Sequence, residues 1–190
     1  MRSDTISRKL ALAGVLLVAS LAGAVPAMAQ TGGTGSPGST TTPTTTTAPS
    51  GTAQLQSDGT AIAPANAPRP VRKAIAAANR IHTRPYIWGG GHRSFKSKGY
   101  DCSGAVSYVL HAAGLLRSPM ASGPLTRWGA PGIGSWITVY ANSSHAWMTI
   151  AGLRYDTSGA GESLNQGSGP RWRVNMRSGA GYTSRFSPGL

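Results

Sequence analysis

The stretch of residues from Tyr100 to Gly114 gives the clearest structural signal in the sequence. Its apolar side chains recur with helical spacing, Asp101 is a favourable N-cap residue, and Gly114 is favourable just after a helix end. The stretch therefore predicts a helix whose first turn contains Cys102. Unpaired backbone N–H groups and the positive end of the helix dipole meet there, and both favour a thiolate, the nucleophilic form of cysteine.

The first third of the chain has a different character. Residues 1–29 combine basic residues, an apolar run and the ending Ala27-Met28-Ala29, which is the pattern of a secretory signal peptide. The apolar run is short for a membrane span, and no other stretch is long enough to be one. Residues 30–66 are dominated by Thr, Pro, Gly and Ser and predict a disordered linker, which leaves 67–190 as the folded domain. We therefore expect a protein that is secreted, extracellular or associated with the cell wall, with no membrane span after signal removal.

The charge balance restricts the partners and the chemistry. The net charge is +13, and Asp and Glu together number only 5, so the surface should attract polyanions. No nucleic-acid-binding motif is recognisable, and we expect anionic polymers of the cell envelope as partners instead. The few acids argue against a paired-carboxylate glycosidase. The four histidines and one cysteine lack the spacing of zinc ligands, so we expect neither a metal nor a cofactor.

Cys102 is the only cysteine, so it has no disulfide partner within the chain. An inert core thiol is the simpler interpretation of a lone cysteine on an apolar helix face. Its place at a helix start, its small and polar neighbours and the oxidising destination of an exported protein favour a reactive thiol. A disulfide to a second molecule is the remaining alternative.

Periodicity predicts the other elements. A helix is predicted over 71–81, and the triple glycine that follows it, at 89–91, indicates a turn with unusual backbone shape. After an irregular connection at 115–134 the period changes to two, which predicts an antiparallel β-meander. Its strands are predicted at 136–141, 145–150 and 153–157, and residues 169–174 predict a further strand or an extended edge. The segment 175–190 indicates little beyond a basic surface.

The meander leads to a geometric prediction about Asp156. If Ala151 and Gly152 form a two-residue hairpin loop, Ile150 pairs with Leu153 and Asp156 comes to share a face with His145. The carboxylate could then reach the imidazole. A three-residue loop would turn Asp156 to the opposite face.

A thiolate at a helix start, a histidine at a strand start and a polar residue on the next strand meet the needs of cysteine-dependent acyl transfer. Backbone N–H groups at the helix start and a nearby tyrosine hydroxyl could stabilise the oxyanion. We rank His145 first as the base and His92, in the glycine-rich segment, second. His111 lies too far along the helix of Cys102 to reach it.

Several motifs together resemble the NlpC/P60 family of papain-like cell-wall peptidases. They are Tyr86-Ile87-Trp88-Gly89-Gly90, Asp101-Cys102-Ser103-Gly104, an aliphatic helix ending Ala113-Gly114, and a strand that opens with His145. The resemblance covers residues 71–158, and the combination of the first two motifs is far more specific than either alone.

The resemblance implies an α+β, papain-like NlpC/P60 fold, with N-terminal helices packed on an antiparallel β-sheet. It also implies hydrolysis of amide bonds in peptidoglycan stem peptides. Cys102 would be the nucleophile and His145 the base, with Tyr86 assisting the oxyanion. Tyr86, Trp88, Asp101 and Ser103 would contact the substrate.

The sequence departs from the family pattern in two places. The third catalytic position is commonly His, Asn or Gln, whereas the nearest match is Asp156. Residues 117–134 lack the usual acidic lead into the histidine strand. Other hypotheses stay open: an amidase or acyltransferase on the same fold, or a non-catalytic cationic module that binds the envelope with Cys102 buried and idle. We expect a monomer.

Overall fold

The computed structural model describes residues 51–159 and 168–190 of the chain. All of them belong to one compact unit that spans residues 44–190. The predicted signal peptide and residues 30–50 of the predicted linker lie outside the described residues, so both remain predictions. In chain order the elements are β1 (Gln54–Leu55), β2 (Ala61–Ile62), α1 (Arg69–Ile81), α2 (Cys102–Ala112), α3 (Ser122–Leu125), β3 (Ala130–Pro131), β4 (Ile137–Ala141), β5 (Ala146–Ile150), β6 (Leu153–Asp156), β7 (Arg171–Arg173) and β8 (Thr183–Phe186).

Both predicted helices are confirmed. α1 begins with a proline in its first turn, where the missing N–H would have had no helical partner. α2 has Asp101 as its N-cap and Ala113 as its C-cap. Gly114 follows with a positive φ of 81°, and the N–H of Leu115 donates to the carbonyl of Leu110 at 2.9 Å. This is a Schellman ending, for which glycine is the favoured residue.

The strands β3 to β8 form one antiparallel sheet in the spatial order β3-β8-β4-β5-β6-β7. The predicted meander corresponds to β4, β5 and β6, and the predicted further strand to β7. Alternate residues of β5, namely Ala146, Met148 and Ile150, belong to the hydrophobic core together with apolar residues of α1 and α2. The helices pack on one another and on this side of the sheet. The α+β class, with N-terminal helices on an antiparallel sheet, is confirmed, and the arrangement fits a papain-like fold.

Residues 51–66 belong to the folded domain, so the predicted boundary between linker and domain at residue 67 is wrong. β1 and β2 pair as a small antiparallel sheet, and the side chain of Asn79 on α1 binds the N–H and carbonyl of Ala61 at 2.9 and 2.8 Å. The N–H of Ala53 donates to the carbonyl of Ala151 at 2.8 Å. This segment docks through backbone hydrogen bonds and small buried alanines, which leave little hydrophobic signal in the sequence.

The C-terminal segment supplies a strand in the interior of the sheet. β8 pairs with β4 on one side and with β3 on the other. Its sequence, Thr-Ser-Arg-Phe, lacks the apolar alternation of a buried strand, which explains why periodicity did not identify it. The connection at 115–134 contains α3 and β3. Within the described ranges, no helix has the length and apolar character needed to cross a bilayer.

Candidate active site

Helix α2 holds Cys102 in its first turn, as the capping pattern predicts. The N–H of Gly104 donates to Oδ1 of Asp101 at 2.7 Å, which is the N-cap interaction. Cys102 is 8% exposed, so the residue is buried at the start of the helix. The helix start thus combines a nearly buried sulfur with the N–H groups that favour its ionised form.

The glycine loop, residues 89–91, packs directly on this helix start. The N–H of Asp101 donates to the carbonyl of Gly90 at 3.2 Å, and the N–H of Gly89 donates to Oδ2 of Asp101 at 3.0 Å. A Cβ atom on Gly104 would lie 1.9 Å from the carbonyl oxygen of Gly90, so the close approach requires glycine. The two sequence motifs are therefore parts of one packed unit.

His145 is positioned by the turn between β4 and β5. Oδ1 of Asn142 accepts hydrogen bonds from the N–H groups of Ser144 and His145, each at 2.9 Å. The amide nitrogen of Asn142 donates to the carbonyl of Gly181 at 3.1 Å, which ties the turn to the segment before β8. This side-chain-to-backbone turn sets where β5 begins and so where the imidazole projects.

The predicted hairpin register is confirmed. Ala151 and Gly152 both have positive φ, 46° and 80°, as a two-residue type I′ turn requires. Ile150 pairs with Leu153, and the same register places Asp156 on the face of His145. Nε2 of His145 lies 2.8 Å from Oδ1 of Asp156.

Asp156 is buried, and both of its carboxylate oxygens are hydrogen-bonded. Besides His145, Oδ1 accepts from the N–H of Ser158 at 2.9 Å. Oδ2 accepts from Nε and Nη2 of Arg154 at 3.1 and 2.9 Å, and from Nη1 of Arg177 at 3.3 Å. Burial raises the pKa of this carboxyl, but the hydrogen bonds with His145 and Ser158 and the charges of His145 and Arg154 outweigh it and lower the pKa. Asp156 is therefore ionised at neutral pH.

Cys102 and His145 perturb each other. Burial raises the pKa of the thiol, but hydrogen bonds from the imidazole and from the N–H of Ala146, with the charge of the imidazole, lower it below its ordinary value. Burial also opposes charge on His145, yet the hydrogen bonds with Asp156 and Cys102 raise its pKa to about 9. Both shifts favour a thiolate–imidazolium pair over a neutral thiol and imidazole.

Tyr86 and Trp88 lie on the exposed segment that leads into the glycine loop. Burial and the neighbouring charges of Cys102 and Asp101 raise the pKa of Tyr86, so its hydroxyl remains a hydrogen-bond donor beside the sulfur. Trp88 is 85% exposed, an unusual state for so large an apolar side chain. Both residues are accessible to a substrate, and their predicted contacts with it stay predictions.

Asp101 and Ser103, also predicted to contact the substrate, are buried and bonded within the protein. Nε2 of His92 lies 2.9 Å from Oδ2 of Asp101 and 3.2 Å from Oγ of Ser103. Ser103 Oγ donates in turn to Oδ1 of Asp101 at 3.3 Å. The second-ranked histidine therefore belongs to the packing around the helix cap, whereas His145 is the histidine whose imidazole lowers the pKa of Cys102.

Three residues near the site did not emerge from the sequence: Arg154, Arg177 and Tyr182. The ring of Tyr182 meets the imidazole of His145 edge-on at 6.4 Å, and the guanidinium of Arg177 lies 5.3 Å from the centre of the Tyr182 ring. Only Arg154 had a usable signal. It stands two positions before Asp156 in a strand, and residues two apart share a face.

The remaining histidines bond to main-chain carbonyls. Nδ1 of His82 lies 2.5 Å from the carbonyl of Asn79, and Nδ1 of His111 lies 2.9 Å from that of Leu116. His111 also stacks on Phe95. Among the residues that the structure describes, no group of three or more His, Cys, Asp or Glu side chains is arranged to hold a metal ion.

No family model matches the chain, and no curated protein matches it. Solved structures that match include two variants of the Resuscitation Promoting Factor Interacting protein RipA, each with a TM-score of 0.44 and 22% identity over 63% of this chain. A structure of an NlpC/P60 family protein from Bacillus cereus ATCC 10987 matches with a TM-score of 0.46 and 22% identity over 68% of this chain. The matches cover 65%, 66% and 44% of those chains, so this chain spans less than two thirds of their length.

Proposed function

We propose that this chain is a secreted cysteine peptidase of the NlpC/P60 family that hydrolyses amide bonds in peptidoglycan stem peptides. The observation that carries the reaction type is the position of the His145 imidazole, which interacts with the Cys102 thiol at a helix start and is hydrogen-bonded to Asp156. The substrate class rests on the likeness of the Tyr86–Gly90 and Asp101–Gly104 motifs to that family.

In the first half of the reaction the Cys102 thiolate attacks the carbonyl carbon of the scissile amide. A C–S bond forms, and the electron pair of the carbonyl moves onto its oxygen. When this tetrahedral species collapses, the C–N bond breaks and His145 gives its proton to the departing amine. An acyl-enzyme thioester and a neutral imidazole remain.

In the second half of the reaction, water attacks the thioester while His145 takes a proton from that water. The C–S bond then breaks, the acid product leaves, and the thiolate–imidazolium pair is restored. Asp156 accepts the Nε2 hydrogen of His145, which leaves Nδ1 for the sulfur and for proton transfer. Its negative charge stabilises the imidazolium in both halves.

The oxyanion of each tetrahedral species needs hydrogen-bond donors close to the sulfur. Backbone N–H groups of the first turn of α2 are available for this, since the first N–H groups of a helix have no helical acceptor. The Tyr86 hydroxyl, held protonated beside Cys102, is the second donor that we assign.

The decisive experiment is a digest of purified cell-wall peptidoglycan, with soluble products identified by mass spectrometry. The wild-type protein should release peptide fragments that the Cys102→Ala variant does not. A new amine and a new carboxyl on the stem peptide would support the peptidase. Cleavage between sugar and peptide would support the amidase instead, and identical products from both proteins would end the hydrolase proposal.

We propose that a basic strip beside the site holds anionic polymers of the cell envelope. The strip consists of Arg80, Arg84, Arg93 and Lys96, which line two surface cavities of about 260 and 180 Å³ that share Lys96. Among the described residues, no acidic side chain lines either cavity. With a net charge of +13, the chain has the sign needed for long-range attraction to such polymers.

Sedimentation with purified walls tests this strip. The pair Arg93→Glu and Lys96→Glu should weaken binding at low salt, and the difference from wild type should vanish at high salt because exposed charges are screened. The matched control is Arg127→Glu with Arg117→Glu, which changes the net charge equally at exposed positions outside the strip. Equal losses in the two variants, or binding that salt leaves unchanged, would refute a local site.

A further inference from the structure

A buried arginine donates hydrogen bonds to the carboxylate of the proposed active site. Arg154 is 1% exposed, and its Nε and Nη2 both donate to Oδ2 of Asp156. The rest of the guanidinium is also engaged, because Nη1 donates to the carbonyl of Asn175 at 2.9 Å and Nη2 to that of Ser158 at 2.7 Å. The guanidinium group is therefore held in one orientation.

The two oxygens of Asp156 have separate partners. Oδ2 faces Arg154, whereas Oδ1 faces His145 and the N–H of Ser158. Rotation of the carboxylate would break both hydrogen bonds from Arg154 and, at the same time, the hydrogen bond to the imidazole. The arginine thus determines which oxygen His145 meets and at what angle.

We propose that Arg154 is a positioning residue, which keeps Asp156 ionised and oriented so that His145 retains its proton and Cys102 remains a thiolate. The link to turnover rests on the proposed peptidase function. The effect on the thiol does not, because it is a property of the free protein.

Other charged and titratable groups surround this network. Cys102 and Asp101 approach from α2, Arg173 from β7, and Arg177 and Tyr182 from the segment after β7. Arg177 makes a single contact with Asp156 at 3.3 Å and its side chain is 23% exposed, so water can replace it. Arg154 makes the two shorter contacts and is shielded from water. Removing it would take away two of the hydrogen bonds that compensate for the burial of the carboxylate, so protonation of Asp156 would become easier.

The test is the rate at which iodoacetamide alkylates Cys102 as a function of pH, compared between Arg154→Lys and wild type. Lysine keeps the charge but cannot donate the paired hydrogen bonds. The alkylation rate falls at low pH as the thiolate is protonated. We expect the midpoint of this fall to rise by about one pH unit, since a hydrogen bond to a charged group changes a pKa by about one unit or more. Arg154→Gln, which keeps N–H donors without the charge, serves as the second variant if lysine prevents folding.

Arg173→Lys is the matched control. Arg173 is equally buried and lies opposite Arg154 on β7, but its Nε meets the backbone carbonyl of Asp156 at 3.4 Å rather than the carboxylate. Both lysine variants should lose thermal stability, whereas the alkylation midpoint should move only for Arg154→Lys. Equal movement in the two variants would show a general effect of loosened packing and would overturn the proposal.

A double-variant comparison supplies the sharper criterion. If Arg154 acts through the carboxylate, Arg154→Lys should shift the midpoint in the wild type but not in an Asp156→Asn background. An unchanged midpoint in the first case, a downward shift, or an equal shift in both backgrounds overturns the inference. A shifted midpoint in a protein that never cleaves peptidoglycan would instead leave Arg154 assigned and the peptidase proposal refuted.

Discussion

Replacing Asp101 by alanine or by asparagine separates the structural contribution of its carboxylate from any contact with substrate. Alanine removes the N-cap of α2, the acceptor for the glycine loop and the partner of His92. Asparagine keeps an oxygen for the cap but removes the negative charge. Asp and Asn are about equally good N-caps, so the two variants should differ in stability.

The structure sets the expected magnitudes. Loss of the buried cap to Gly104 costs about 1–2 kcal/mol, and loss of the Gly89 contact costs about 0.5–1 kcal/mol because that loop is open to water. The half-buried ion pair with His92 adds about 0–1 kcal/mol. Asp101→Ala should therefore lower the free energy of unfolding by about 1.5–4 kcal/mol, and Asp101→Asn by about 1 kcal/mol.

Urea unfolding followed by circular dichroism measures these differences, and alkylation of Cys102 provides a second measurement. The negative charge of Asp101 raises the pKa of the thiol, so Asp101→Asn should shift alkylation to lower pH. Equal stability of the two variants would refute the structural assignment of the carboxylate. A large rise in KM in Asp101→Asn, with stability retained, would instead support the predicted contact between Asp101 and the substrate.

Three further predictions concern packing, the oxyanion and pH. Gly104→Ala should destabilise the fold by about 2 kcal/mol or more, because the new Cβ meets a backbone carbonyl. Thermal unfolding measures this loss. Gly123→Ala is the control and should be nearly neutral, because its Cβ would meet nothing within 4 Å. Tyr86→Phe should lower kcat about 10²–10³-fold with little change in KM if the hydroxyl stabilises the oxyanion, whereas unaltered kcat would exclude that role. Since the thiol pKa is lowered, alkylation of Cys102 should begin below the usual pH range of a thiol. Since the pKa of His145 is raised to about 9, turnover should fall as the pH passes about 9, because the imidazolium that would protonate the leaving amine is lost. A basic limb of the turnover profile near 6.5 would contradict the assignment.

Prediction from the amino-acid sequence succeeded where the physical cause of a structure is local. The cap at Asp101, the glycine after α2 and the type I′ turn at Ala151-Gly152 each depend on a few consecutive residues, so the start of the helix that carries Cys102 and the register of His145 with Asp156 could be predicted. Composition was misleading for residues 51–66. Their backbone forms hydrogen bonds with the side chain of Asn79 and the carbonyl of Ala151, and their buried side chains are small alanines.

Contacts between distant segments of the chain could not be predicted and are visible only in the fold. The insertion of β8 beside β4, the packing of the glycine loop on Gly104 and the contact of Arg177 with Asp156 join residues far apart in the chain. Periodicity predicts which face of a strand a side chain occupies but not what lies opposite it. A charged residue such as Arg154 is therefore expected to be solvent-exposed until the fold shows its buried carboxylate partner. The position of Cys102 at a helix start could thus be predicted from its own helix, whereas the hydrogen bonds that raise the pKa of His145 depend on the assembled sheet.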